Sequence, residues 1–295
     1  MGERYYFTAE VAERLLSGEE VVSLDLNISK TIVKRLGNKF YLPNGEVIEK
    51  EDLEYIARHK NHIYMYEEGK FYDLIVREPK FYKLVPTKTA PTVEISGIRM
   101  HRTKDLDPWE DAKRKVSKIN VNGTVLDTCA GLGYTAIWAR KMGARRVISV
   151  EKDENIIFLA SLNPWSKELF RDPDIELIKG DVFYVVRFIK NESIDAIIHD
   201  PPRISLAGEL YSREFYRELY RVLRPGGLLY HYVGSPGAKY RGKDYLRGVT
   251  LRLSRAGFIV RKTPEGDSVI ARKPSRKYLK RIEKELKRMG IIKEE

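Results

Sequence analysis

From residue 122 onward the apolar positions of the chain fall into two alternating patterns. Short continuous apolar runs, bounded by glycine or charge, predict buried strands at GTVLDTC, RRVISVE, DIELIKGD, SIDAIIHD and GGLLYHYVG. Between them, TAIWARKMG, ENIIFLASLNPW, VFYVVRFIK, SREFYRELYRVL and KDYLRGVTLRLSRAG read as helices. Such alternation predicts a mostly parallel α/β sheet covered on both faces, because parallel neighbours need a long crossover between them. GFIVRKTPEGDSVIARK breaks the alternation and reads as a hairpin, which adds an antiparallel edge. A last, basic helix is expected over residues 275–289.

Before residue 122 the pattern is less regular. Residues 1–86 read as a small mixed α+β domain, for which a substrate-adaptor role and simple packing against the larger domain are the two alternatives. In it, TAEVAERLLSG is a short helix that Thr8 can cap and Gly18 can end. Asn44-Gly45 predicts a hairpin turn between FYL and EVI. KEDLEYIARH suggests a second helix, and YDLIVRE a further strand. Residues 87–120 read as a linker and entry helix, stiffened by proline. Asp107, Pro108 and Glu110 mark the start of that helix: a cap, a first-turn proline and a residue able to reach back to the cap. Residues 121–295 form the larger domain.

Composition narrows the partners. The chain has 295 residues, 33% of them charged, and a net charge of +12. Abundant Lys, Arg and Glu points to a heat-adapted protein. The positive balance favours anionic partners such as nucleic acid, although a solvated basic surface produces the same number. Cys129 is the single cysteine, so neither an intrachain disulfide nor a thiolate zinc cluster is available. His59 and His62 could share a helix face, but no acidic partner completes a recognisable metal set with them, and no metal is expected. No apolar segment is long enough to span a bilayer, and the N-terminus lacks a signal-peptide core, so the expected location is cytoplasmic.

The chemistry sits at the predicted strand ends. LDTCAGLGYTA places Gly131 and Gly133 in a tight turn after the first strand, which alone fits a dinucleotide site or a packing turn. Glu151 ends the second strand and could hold two ribose hydroxyls; Asp181 ends the third and could accept from an adenine amino group. Asp200 ends the fourth. Together with Asp127 these carboxylates make a poor bed for pyrophosphate and a good one for a cationic ligand carrying adenosine. Helix capping or plain surface exposure remains the alternative for each.

DTCAGLGYTA, SVEKD, KGDV and DPPR together resemble the first four motifs of class I S-adenosylmethionine methyltransferases, over roughly residues 121–273. The resemblance implies a Rossmann-like fold, S-adenosyl-L-methionine as donor and S-adenosyl-L-homocysteine as product. By that resemblance Asp127, Ala130, Gly131, Gly133, Glu151, Lys152, Asp181, Val182 and Asp200 are cofactor-binding.

Asp200, Pro201 and Pro202 are the expected catalytic residues. Proline donates no hydrogen bond. An exocyclic amine would therefore meet two acceptors, the Asp200 carboxylate and the Pro201 carbonyl, aligned before reaction. Arg203 stands where the family usually has an aromatic; it could stack, hold a phosphate, or pair with Glu209 or Glu214.

SGIRMHRTKDLDPWEDAKRKV, with DTCAGLGYTA and IIHDPPR, resembles an archaeal methyltransferase group. Some of its members are associated with dimethylating cytidine N4 in small-subunit ribosomal RNA. This implies an N-methyltransferase of an RNA base, with ribosomal RNA or a ribosomal subunit as partner. Arg102, Arg203, Lys239, Arg241 and Lys243 are then the expected substrate-binding residues, supplemented by the basic final helix. The alternatives are protein amine or amide methylation, small-molecule amine methyl or aminopropyl transfer, and a non-catalytic RNA-binding module. Asp105 and Asp107 could bind a polyamine in the aminopropyl case, although capping accounts for Asp107. Intact acidic strand ends argue against the non-catalytic module.

Overall fold

The computed structural model describes residues 3–103, 106–234, 245–289 and 291. The chain divides into two units, Met1–Ala112 with Glu154–Glu168, and Lys113–Asp153 with Leu169–Glu295. Among the described residues no helix is long and apolar enough to cross a membrane.

In the first unit, Tyr5–Phe7 pairs antiparallel with Tyr64–Glu67, which pairs in turn with Lys70–Asp73. Helix Ala9–Leu16 follows its cap: the Thr8 hydroxyl accepts from the Val11 amide at 3.3 Å. Lys39–Tyr41 and Val47–Glu49 form a hairpin closed around Asn44-Gly45, where Gly45 adopts a φ of 87°. Phe7, Leu15, Phe40, Leu53 and Tyr64 share one buried cluster.

Within the region expected to be a linker, Thr92–Ile95 and Ile98–Arg99 are strands that join two from the preceding domain. Ile75–Val76, Tyr82–Val85, Thr92–Ile95 and Ile98–Arg99 form a four-stranded antiparallel sheet. Proline content signalled extended backbone but not its partners, because ladder pairing depends on chain brought in from elsewhere. Asp107 does cap the entry helix Pro108–Val116, accepting from the Trp109 amide at 3.0 Å, and its second oxygen accepts from Thr87 and Thr89. Helix Glu154–Leu162 also belongs to this unit, tied by Tyr6 Oη donating to the Leu162 carbonyl at 2.7 Å.

The second unit is a mixed, mostly parallel, Rossmann-like sheet. Its strands are β1 (Gly123–Asp127), β2 (Ala144–Glu151), β3 (Ile175–Lys179), β4 (Ile194–His199), β5 (Leu223–Tyr232), β6 (Ile259–Lys262) and β7 (Ser268–Arg272). They lie in the order β3-β2-β1-β4-β5-β7-β6. The first five are parallel; β7 pairs antiparallel with both β5 and β6, as the terminal hairpin pattern predicts.

The central strands read as continuous apolar runs because they are covered on both sides: Val125, Leu126, Ala196, Ile197 and Ile198 are fully buried. Helix Arg213–Val222 puts Phe215, Tyr216, Leu219 and Val222 into this core, and helix Tyr245–Arg255 adds Val249 and Leu253. The expected helix over VFYVVRFIK is shorter than its pattern, one α-turn at Val182–Val185 followed by a 3-10 turn to Phe188. Strand order reverses direction between β1 and β4, and in open parallel sheets the crevice at such a switch point is where ligands bind.

Candidate active site

The turn after β1 begins the site. Gly131 and Gly133 have φ of 53° and 79°, a left-handed region that costs side-chain-bearing residues strain. A Cβ at Gly133 would also lie 2.6 Å from Leu169 Cδ2, so this position demands glycine twice over. The turn delivers the chain into helix Tyr134–Lys141 and aims the Gly131 amide at Glu151 Oε2, 2.9 Å away. Ala130 is buried, its amide held by the Val150 carbonyl.

Three acidic groups occupy neighbouring carboxyl ends of β1, β2 and β4. Asp127 is fully buried; it accepts from Ser149 Oγ at 2.7 Å and Thr135 Oγ1 at 3.1 Å. Burial pushes its pKa up to about 7 against those two hydrogen bonds, and the charges of Asp200 and Glu151 push the same way. Burial also raises Glu151, opposed by amide donation from Asp153 and Gly131. Closely grouped carboxylates in low dielectric repel one another, and a ligand cation relieves that repulsion.

Asp200 is not left to face the other acids alone. Lys115 Nζ lies 2.6 Å from Asp200 Oδ2, and 4.3 Å from the ring centroid of Tyr232 at the end of β5. The lysine side chain is 6% exposed and the aspartate side chain 20%. Removing one partner of a buried pair leaves an uncompensated charge, at a cost of about 3–5 kcal/mol.

Behind Asp200 the strand ends carry a buried polar cluster. His199 Nε2 is 3.1 Å from the Leu210 carbonyl, which can only accept, so this nitrogen carries the proton. Nδ1 is then the acceptor for the Thr128 hydroxyl at 2.7 Å. Burial lowers the His199 pKa to about 3 and keeps the ring neutral. His231 packs against it with centroids 4.3 Å apart and has Nε2 2.9 Å from Tyr216 Oη. Tyr211 Oη donates to the Pro202 carbonyl at 2.9 Å, which fixes the turn after Pro201.

The remaining expected residues are less uniform. Asp181 caps the Val182–Val185 turn through the Phe183 amide at 2.9 Å, while Val182 is buried in the apolar core. Lys152 stands 3.7 Å from Asp181 and 4.0 Å from Glu209. Arg203 is exposed and has no ion pair among the described residues; Glu214 pairs instead with Arg187 at 2.8 Å. Arg102 belongs to the first unit, and Lys239, Arg241 and Lys243 lie outside the described residues.

Lys115, Tyr211 and Tyr232 are what sequence reasoning missed. A signal for Lys115 existed. Ala112, Lys115, Val116 and Ile119 follow the i, i+3, i+4, i+7 spacing of one helix face, and all four are buried. A lysine on an apolar stripe asks for a partner.

The sheet order and the acidic strand ends define a Rossmann-like protein whose site suits an S-adenosylmethionine-related cofactor. Residues 114–241 match the spermine/spermidine synthase domain. The chain is 46% identical over 279 residues to uncharacterized protein MJ1233 of Methanocaldococcus jannaschii, covering 91% of this chain and 96% of that one, and it belongs to the same family. It is 33% identical over 108 residues to polyamine aminopropyltransferase 2 of Streptomyces coelicolor, a match spanning 35% of this chain and 20% of that enzyme. The crystal structure of spermidine synthase from Thermotoga maritima superposes with a TM-score of 0.51 at 20% identity, over 68% of this chain and 73% of that one, which concerns the fold.

These matches correct the expectation of a cytidine-N4 ribosomal RNA methyltransferase. The matched domain is spermidine-synthase-like and several matched relatives are polyamine aminopropyltransferases, which overturns the expected N-methyltransferase activity and role in ribosomal RNA processing and modification. The reason for the error is physical. Acidic strand ends and a glycine turn suit adenosine and a sulfonium, and they do not report which carbon on sulfur is attacked.

Proposed function

We propose that the chain is an aminopropyltransferase acting on an amine acceptor of the polyamine class. The observation that carries this reading is the spermine/spermidine synthase match over residues 114–241, which contains Asp127, Glu151, Lys115 and Asp200. The electrostatics agree, since donor and acceptor are both cationic and the site is lined by carboxylates.

The donor in this reading is decarboxylated S-adenosylmethionine, whose sulfonium makes the adjacent propyl carbon electrophilic. In this reading Gly131 and Gly133 let the backbone approach the nucleoside, Glu151 accepts from the ribose hydroxyls, and Asp181 serves the base. Asp127 and Asp200 lower the potential around the sulfonium. Asp200 orients the acceptor amine and takes its proton. The new N–C bond forms as the C–S bond breaks, its electron pair stays on sulfur, and the proton passes through Asp200 to water. The chemistry asks for alignment and a proton acceptor.

The test is incubation with decarboxylated S-adenosylmethionine and a panel of linear diamines and triamines, with methylthioadenosine and the extended amine followed by mass spectrometry. Stoichiometric formation of both products is expected, with loss of at least 100-fold in Asp200→Asn. No product with any member of the panel, or full activity in Asp200→Asn, refutes the assignment.

A further inference from the structure

Among the described residues, a buried cation, Lys115, stands within the acidic site. Lys115 reaches it from helix Pro108–Val116, 2.6 Å from Asp200 Oδ2 and over the Tyr232 ring. The lysine is 5% exposed, too enclosed to meet a ligand in bulk solvent, whereas Asp200 is open enough to be reached. The contact is therefore on the protein side of the carboxylate.

We infer that Lys115 is a positioning residue that holds Asp200 ionised and oriented, so that it can receive a proton from the acceptor amine. The inference deepens the aminopropyltransferase reading and rests on it for the identity of the amine.

Electrostatic surroundings make such a residue necessary. Among the described residues, groups acting with Asp200 include Asp127 at the end of β1, Cys129 in the glycine turn, Tyr211 in the turn before helix Arg213–Val222, and Tyr230 on β5. Glu151 adds charge through its effect on Asp127. Of these, Asp127 and Glu151 are the carboxylates whose charge disfavours a further anion, whereas burial raises Cys129, Tyr211 and Tyr230 and keeps them neutral. Lys115 is the cation in direct contact, and Asp111, also buried, lies one turn back on the lysine's own helix. A carboxylate grouped with others and stripped of its counter-ion binds a proton more tightly. A protonated Asp200 cannot accept the amine proton. Tyr232 adds an attractive aromatic face that keeps the ammonium from swinging away.

The test separates this role from a structural one and from the choice of substrate. The Asp200 carboxyl is titrated by 13C NMR in aspartate-labelled protein, its resonance assigned with Asp200→Asn. In Lys115→Met it should titrate about one to three pH units higher than in wild type, and Lys115→Arg should restore it. In the transfer assay the acid limb of the pH–kcat profile should move up in parallel in Lys115→Met, with the donor KM unchanged. An Asp200 titration that is the same in Lys115→Arg, Lys115→Met and wild type overturns the inference. So does a loss of kcat in Lys115→Met that is equal at every pH. Should Lys115→Met fail to fold, the comparison of wild type with Lys115→Arg and Lys115→Gln decides: a raised Asp200 titration in Gln but not Arg supports the role, and coincident titrations refute it. Because the NMR readout needs no turnover, absence of aminopropyl transfer would count against the substrate assignment alone.

Discussion

Asp127 shows how far a residue's chemistry can depart from its letter in the sequence. The motif marks it as an ordinary carboxylate; full burial places its pKa at about 7. The sign of the consequence follows from charge. The folded pKa is raised, so below pH 7 the group is largely protonated, and a bound sulfonium favours the ionised form. Binding a sulfonium should therefore release a proton near neutral pH, and affinity should rise about tenfold between pH 6 and pH 8. Calorimetry with a sulfonium ligand in buffers of different ionisation enthalpy measures both quantities. Asp127→Asn should flatten the pH dependence, and a flat wild-type profile would show that Asp127 does not sense the ligand. Asp200 and Glu151 were legible as candidates because strand-terminal acids are visible in the letters. Lys115 was less so, since its partner lies 85 positions away in sequence.

At the scale of elements, the turn between β1 and helix Tyr134–Lys141 combines two separate demands for glycine. Gly131 was readable from motif spacing. The steric demand at Gly133 was not, because Leu169 arrives from a segment 36 residues later (169 − 133). Gly133→Ala should lower stability by about 1–3 kcal/mol in urea denaturation and weaken sulfonium binding with it. Wild-type stability in this variant would mean that Leu169 gives way at little cost. The strand and helix periods were otherwise well expressed, because the five parallel strands are buried on both faces and leave nearly unbroken apolar runs. The region after residue 86 misled for the opposite reason: its strands Thr92–Ile95 and Ile98–Arg99 are short, and proline dominates the local pattern.

Over the whole molecule, the charge of +12 coexists with a site lined by acids. Lys115 and Lys152 stand among those acids, and other cations lie on an exposed helix. Helix Arg276–Arg288 buries none of its residues and carries Lys277, Lys280 and Lys284 among its cations. An RNA partner is a proposal from this charge alone. If the face contacts phosphates, Lys277→Glu with Lys280→Glu and Lys284→Glu should lower the slope of log affinity against log salt for single-stranded RNA by about 2. An unchanged slope would make the helix a solvated face, held in part by the Lys287–Glu283 pair at 3.1 Å.

The sequence by itself determined the alternation of strands and helices, the antiparallel terminal hairpin, the glycine turn and the acids at the strand ends. These are local: a period of two or 3.6 residues, or a φ that only glycine tolerates, is written in adjacent letters. Tertiary structure alone decided which carboxylates lose water, which lysine meets Asp200, and which histidines become neutral core groups. Those properties arise from dielectric and distance between residues remote in the chain, and neither quantity has a period to read. The same limit explains why the expected methyl transfer is overturned while the strand-end acids that suggested it are present. Adenosine and a sulfonium ask for the same strand-end chemistry whichever group leaves the sulfur, so adjacent letters carry no signal for that choice.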